Sequence, residues 1–124
     1  MPTAVLIAIA GALGALSRYG LQAVVARRFD GAFPLGTFII NITGAFALGF
    51  LFTVMTERFS IRPAYRSAIT IGFLGAYTTF STLAFESVRL IQDGAWLMGA
   101  ANMVTSAVVG IVAVFAGIAL GRAV

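Results

Sequence analysis

The apolar stretches of this sequence constrain its fold more than any other feature. Four of them, at about residues 3–26, 35–55, 67–90 and 95–120, are each long enough to cross a membrane, which takes about 20 apolar residues in a helix. With 60% hydrophobic and 10% charged residues, the chain has too little polar surface to cover a soluble domain. The sequence therefore predicts an all-α membrane protein whose single transmembrane domain, residues 1–124, has four helices per subunit.

The composition also limits the chemistry that the chain can perform. It has no cysteine and no histidine, which excludes disulfides, thiolate or imidazole metal sites and histidine-based catalytic triads. No nucleotide-binding loop or general base is evident, so we expect a passive transporter and not an enzyme. The net charge of +4 comes from scattered arginines at the ends of the spans, which indicates lipid headgroups as partners and no nucleic acid.

The arginines divide almost evenly between the two membrane faces. One face collects four and the other three, with one more inside the first span: Arg58, Arg62, Arg66 and Arg122; Arg27, Arg28 and Arg89; and Arg18. So small a bias favours insertion in both orientations, and hence an antiparallel homodimer that shelters polar groups between its subunits. A single orientation chosen by the weak bias is the alternative. Glycine and alanine recur in the first, second and fourth spans, which predicts close helix contacts.

The third apolar stretch is the least regular of the four. Residues 72–82, GFLGAYTTFST, combine glycines with four serine or threonine hydroxyls near the middle of the span. A helix is weakest there, and a discontinuous helix frees carbonyl groups for cations and N–H groups for anions. The sequence therefore predicts a third helix broken near the midplane, with a continuous but kinked helix as the alternative.

Polar side chains form two further tracks. In the second span, Thr37 and Asn41 are four residues apart and therefore share a helix face. In the fourth span, Asn102, Thr105 and Ser106 also lie on one side. The tracks indicate either a hydrogen-bonding path for an anion or simple helix-to-helix and helix-to-backbone hydrogen bonds.

Three isolated residues each allow two or more interpretations. Arg18 either attracts anions at a water-filled entrance or extends along the helix to reach the headgroups. Phe80 offers the positive edge of its ring to an anion or simply packs against apolar neighbours. Glu86 orders the break in the third helix, carries a proton, or lies at the membrane interface.

Together these segments resemble the Fluc (CrcB) family of dual-topology fluoride channels over essentially the whole chain. The matching segments are Gly11 to Tyr19, Pro34 to Thr37 with Asn41 and Gly44, Gly72 to Gly75, Thr78 to Thr82, and Glu86. The TTFST segment with its upstream glycines is the most specific of them.

The resemblance implies an antiparallel homodimer in the inner (plasma) membrane that exports fluoride passively through two pores, with a structural sodium ion (Na+) at the dimer centre. It places these residues along the pores: Asn41, Phe80, Ser106, Thr37, Asn102, Leu83 and Thr82. It places Arg18 in the vestibule and gives the backbone carbonyls of Gly75 and Thr78 to sodium. Structural or gating roles fall to Glu86, Thr79 and Ser81.

The chain departs from the family pattern at two positions. Leu83 stands where the family has a second phenylalanine, and Phe85 does not replace that ring because it lies on a different helix face. Ala76 stands in place of one glycine of a pair.

Two other functions are alternatives to the channel. Small multidrug-type, proton-coupled exporters also form dual-topology dimers, but they have a glutamate in the first helix, and this first span has no acid. The other alternative is a non-conducting membrane scaffold subunit.

Overall fold

The computed structural model describes all 124 residues, and its regular secondary structure is entirely helical. Four of its helical segments are long and apolar enough to cross a membrane: Thr3–Arg28, Leu35–Arg58, Pro63–Gln92 and Trp96–Ala123. The prediction of an all-α protein with four membrane-spanning helices is therefore confirmed.

The third membrane-spanning segment consists of two helices. We label the elements α1 (Thr3–Arg28), α2 (Leu35–Arg58), α3 (residues 63–77), α4 (Phe80–Gln92) and α5 (Trp96–Ala123). The last turn of α2 (Val54–Arg58) and the middle of α3 (Ala68–Leu74) are π-helical. Thr78 and Thr79 separate α3 from α4.

Each membrane-spanning segment is longer than the apolar stretch seen in the sequence. Arg27 and Arg28 continue α1, and Glu57 and Arg58 continue α2. Charged side chains fit at the ends of such helices because their long stems remain apolar while their heads reach water. At one end of the bundle Arg122 forms an ion pair with Glu57 at 3.1 Å and thereby joins the end of α5 to the end of α2.

Glycines set the contacts between the helices. A Cβ atom on Gly14 would overlap the backbone of Phe73, so α1 and α3 meet backbone to backbone. A Cβ atom on Gly49 would overlap the backbone of Val114, and one on Gly117 would overlap that of Phe46, which brings α2 and α5 equally close. The close helix contacts predicted from the small residues are confirmed.

The bundle has little interior. Only 19 of 124 residues are buried, and six of these are hydrophobic. Large apolar side chains such as Leu97, Ile111 and Phe115 are 60% or more exposed. Apolar groups on this scale are not stable in water, so they face lipid or another subunit.

Candidate functional site

The interruption of the third span lies at Thr78 and Thr79. Both residues have extended backbone angles, with φ −85° and ψ 157° for Thr78 and φ −152° and ψ 109° for Thr79. The N–H and hydroxyl groups of Thr78 both donate to the carbonyl of Leu74, each at 3.0 Å, and close α3. The hydroxyl oxygen of Thr79 accepts the N–H of Thr82 at 3.3 Å and so caps the start of α4. The predicted interruption thus falls within residues 72–82.

Asn41 of α2 replaces helical hydrogen bonds that the interruption removes. Its Nδ2 donates to the carbonyl of Thr79 at 3.0 Å, and its Oδ1 accepts the N–H of Thr79 at 2.8 Å. Because one partner is a donor and the other an acceptor, the orientation of the amide is fixed. One N–H of the Asn41 amide is used in this way, and the second has no protein acceptor.

A glycine makes room for the interruption beside α2. A Cβ atom on Gly44 would overlap the side-chain methyl of Thr78 and lie 3.2 Å from the Tyr77 ring. Gly44 is three residues after Asn41 and therefore on the same face of α2. The second span thus contributes a hydrogen-bonding amide and an adjacent bare backbone to the same site.

A cavity of about 300 Å³, which we call the Asn41 cavity, opens beside the interruption. It lies between α2, α4 and α5, and its lining is Asn41, Ala45, Thr78, Thr79, Phe80, Leu83, Met103, Ser106, Ala107 and Gly110. The Phe80 ring stands at its edge and is 72% exposed, whereas Leu83 is only 7% exposed. The hydroxyl of Ser106 is buried in the cavity wall and has no hydrogen-bond partner.

A second cavity of about 270 Å³ shares Asn41, Ala45 and Thr78 with the first. Gly75 and Thr78, the two predicted sodium ligands, both line it. The N–H of Thr79 donates to Asn41, so the carbonyl of Gly75 loses its ordinary α-helical partner. Arg18, predicted to lie in the vestibule, donates through Nε to the carbonyl of Ala76 at 3.1 Å, beside the same helix end.

Other predicted pore residues do not line the Asn41 cavity. Asn102 is fully buried and donates to the hydroxyl of Ser87 at 2.9 Å, while its own Oδ1 has no partner. The Thr82 hydroxyl accepts from Thr79 at 3.0 Å. Ser81 is exposed near the same cap and lies 3.3 Å from the Thr79 hydroxyl.

Thr37 and Glu86 come together at a third place. Thr37 is 1% exposed, its hydroxyl donates to Glu86, and it accepts from Nε2 of Gln22 at 2.9 Å. The sequence interpretation did not single out Gln22, although its spacing of four from Arg18 places both on one face of α1. Glu86 and Arg89 line a cavity of about 350 Å³, which we call the mouth cavity, with Gly31, Ala32, Phe33, Pro34, Leu90 and Asp93.

The fold and the site define a multi-pass membrane protein with a discontinuous third span, at which polar groups from three membrane-spanning segments meet. Comparison with known proteins specifies this class further. The chain belongs to the family described as CrcB-like protein, Camphor Resistance (CrcB), which matches residues 5–118.

Curated relatives share the whole length of the chain. It is 44% identical over 124 residues, 100% of both chains, to the fluoride-specific ion channel FluC of Nitratidesulfovibrio vulgaris. The protein of the same name from Desulforapulum autotrophicum is 42% identical over 118 residues, 95% of this chain and 94% of its own. That from Geotalea uraniireducens is 43% identical over 123 residues, 99% of each chain. The resemblance seen in the sequence is therefore confirmed.

Proposed function

We propose that this protein is a fluoride-selective ion channel that conducts fluoride passively across the cell membrane. The observation that carries the proposal is the buried, unpartnered hydroxyl of Ser106 in the wall of the Asn41 cavity. An O–H group without an acceptor is a donor available to an anion. The names of the curated relatives, fluoride-specific ion channel, supply the identity of that anion.

The chemistry of the Asn41 cavity suits a small, strongly hydrated anion. A pore must replace the water around fluoride with several fixed donors, each weak enough to release it. The second N–H of Asn41, the hydroxyl of Ser106 and the ring edge of Phe80 are such donors. None of these three donors is charged, so each binds an anion only weakly.

We further propose that two copies assemble as an antiparallel homodimer with two pores, each lined by both subunits. Phe80 supports this assembly, because its ring is 72% exposed at the edge of the Asn41 cavity and leaves that side of the cavity open. A second subunit would close the cavity and remove the exposed ring from lipid. The scarcity of buried residues supports the same assembly.

The backbone at the interruption fits a sodium ion at the dimer centre. The carbonyls of Gly75 and Thr78 would hold it, because both residues line the second cavity and the Gly75 carbonyl lacks its helical partner. One chain supplies too few ligands, so the second copy would complete the set. The ion would supply a fixed positive charge between the interrupted third spans of the two subunits and so hold them together.

Fluoride release from liposomes tests the channel and separates it from the two alternatives. The purified protein is reconstituted into vesicles loaded with potassium fluoride, and release is followed with a fluoride electrode after valinomycin is added. Rapid release that depends on the protein supports the channel. Proton-coupled export of an organic cation would indicate the multidrug-type exporter instead, and the absence of any transport would indicate the scaffold.

A further inference from the structure

A chain of hydrogen bonds connects α1 to the mouth cavity. Gln22 donates through Nε2 to the hydroxyl oxygen of Thr37 at 2.9 Å. A threonine hydroxyl has one hydrogen, and in Thr37 that hydrogen is directed at Oε1 of Glu86. The amide of Gln22 thus binds the Thr37 oxygen and steadies the hydroxyl, while the hydroxyl hydrogen holds the carboxylate of Glu86.

The position of Gln22 is itself fixed by the start of α2. Gly36 is buried, and a Cβ atom built on it would overlap Oε1 of Gln22. The Gln22 side chain therefore packs directly against the backbone of Gly36, next to Thr37. A side chain at position 36 would displace it. Gly36 and Thr37 together form a seat for the Gln22 amide.

The hydrogen-bond chain bears on a neighbouring cation. Glu86 and Arg89 are three residues apart on α4, a spacing at which opposite charges on a helix usually pair. They do not pair here, and the only ion pair in the protein is that of Glu57 with Arg122. The guanidinium carbon of Arg89 instead lies 6.0 Å from the centroid of the Phe85 ring.

We infer that Gln22 is a positioning residue: acting through Thr37, it holds Glu86 away from Arg89, so that the guanidinium of Arg89 stays unpaired at the mouth cavity and attracts anions. The inference rests on the proposed function. Asp93 is the other acid that lines this cavity, and it also forms no ion pair with Arg89. Arg89 is the one cation that lines this cavity, and a guanidinium that binds no carboxylate can form charge-assisted hydrogen bonds to an entering anion.

Fluoride release at two ionic strengths tests the functional half of the inference. In Gln22→Leu the carboxylate of Glu86 is expected to turn to Arg89, which lowers release about tenfold at low ionic strength. The deficit should largely disappear at high salt, where charges at the mouth are screened in every variant. In an Arg89→Gln background, Gln22→Leu should have no further effect.

Two further variants provide a second test and a control. Gly36→Ala leaves every polar group in place but displaces Gln22, so it should reproduce the salt-dependent deficit of Gln22→Leu. Ser17→Ala changes an exposed residue of α1 whose hydroxyl bonds only to the carbonyl of Leu13, and it should leave release unchanged. A salt-independent loss in both Gln22→Leu and Gly36→Ala would mean that Gln22 merely supports the fold, and would overturn the inference.

Infrared spectroscopy tests the hydrogen-bond chain without reference to transport. The sequence has only two glutamates, Glu57 and Glu86, so in a Glu57→Gln protein labelled with carbon-13 glutamate the single labelled carboxylate belongs to Glu86. Its stretching band should shift in Gln22→Leu and in Gly36→Ala, and an unchanged band would overturn the inference. A wild-type protein that releases no fluoride would overturn the proposed function instead, and this spectrum would still report on the hydrogen-bond chain.

Discussion

The amide of Asn41 satisfies both the N–H and the carbonyl of Thr79, 38 residues further along the chain. One side chain of α2 thereby supplies what a continuous third helix would have supplied from its own backbone. Because a backbone group without a partner is unstable at membrane depth, this pair of hydrogen bonds makes the interruption possible.

Asn41→Asp is expected to lower fluoride release by more than about tenfold, because the carboxylate cannot donate to Thr79 and a buried polar group loses its partner. The new negative charge would also repel an anion in the Asn41 cavity. Release from liposomes measures the effect, and size-exclusion chromatography checks that the assembly is retained. Wild-type release from Asn41→Asp would remove this side chain from the pathway.

Phe80→Ala is expected to suppress fluoride release because it removes the ring edge from the Asn41 cavity. Phe115→Ala is the matched control, since that ring is also largely exposed, 67% against 72%, but does not line the cavity. Release should therefore fall much further in Phe80→Ala than in Phe115→Ala. Equal effects of the two substitutions would show that the Phe80 ring contributes only apolar packing.

Ser106→Ala is expected to lower release without lowering stability, because the hydroxyl that it removes has no partner in the protein. Ser87→Ala should show the opposite behaviour. The Ser87 hydroxyl donates to the carbonyl of Leu83 and accepts from Asn102, so its loss should destabilise the protein by about 1–3 kcal/mol. Thermal unfolding in detergent, measured alongside fluoride release, separates the two effects. A fall in the stability of Ser106→Ala equal to that of Ser87→Ala would contradict the assignment of Ser106 as an available donor.

Gly44→Ala is expected to destabilise the protein by about 1–3 kcal/mol, because the added methyl group overlaps the side chain of Thr78 at the interruption. Gly20→Ala serves as its control. No heavy atom lies within 4 Å of a Cβ atom at that position in α1, and alanine favours a helix by about 1 kcal/mol over glycine. The melting temperature should therefore fall for Gly44→Ala and stay level or rise for Gly20→Ala, and a Gly44→Ala protein as stable as the wild type would show that the interruption tolerates a bulkier neighbour.

The features that the sequence predicted are those that depend on local composition. Four helices follow from the length of the apolar stretches, and the interruption follows from glycines and hydroxyls concentrated in residues 72–82. Helical periodicity also placed Ser106 and Asn102 on one face, and both are buried. Periodicity placed Thr105 on the same side, but this residue is exposed, and its hydroxyl donates to the carbonyl of Ala101 at 2.6 Å.

The features that the sequence did not predict depend on contacts between distant residues. The partner of the Asn41 amide, the seat of Gln22 on Gly36 and the buried pair of Asn102 with Ser87 each join different helices. Periodicity fixes which face a side chain occupies but not which neighbour lies opposite that face. For the same reason the sequence placed Thr37 on the same face of α2 as Asn41 but did not predict its hydrogen bonds with Gln22 and Glu86.

The small number of buried residues has a consequence for any measurement of stability. Because so little of the chain packs against itself, its free energy of unfolding depends on what covers its exposed apolar surface, whether lipid, detergent or another subunit. A melting temperature measured in one detergent therefore does not apply to a bilayer. The melting temperatures of variants can be compared only when all are measured in the same lipid or detergent.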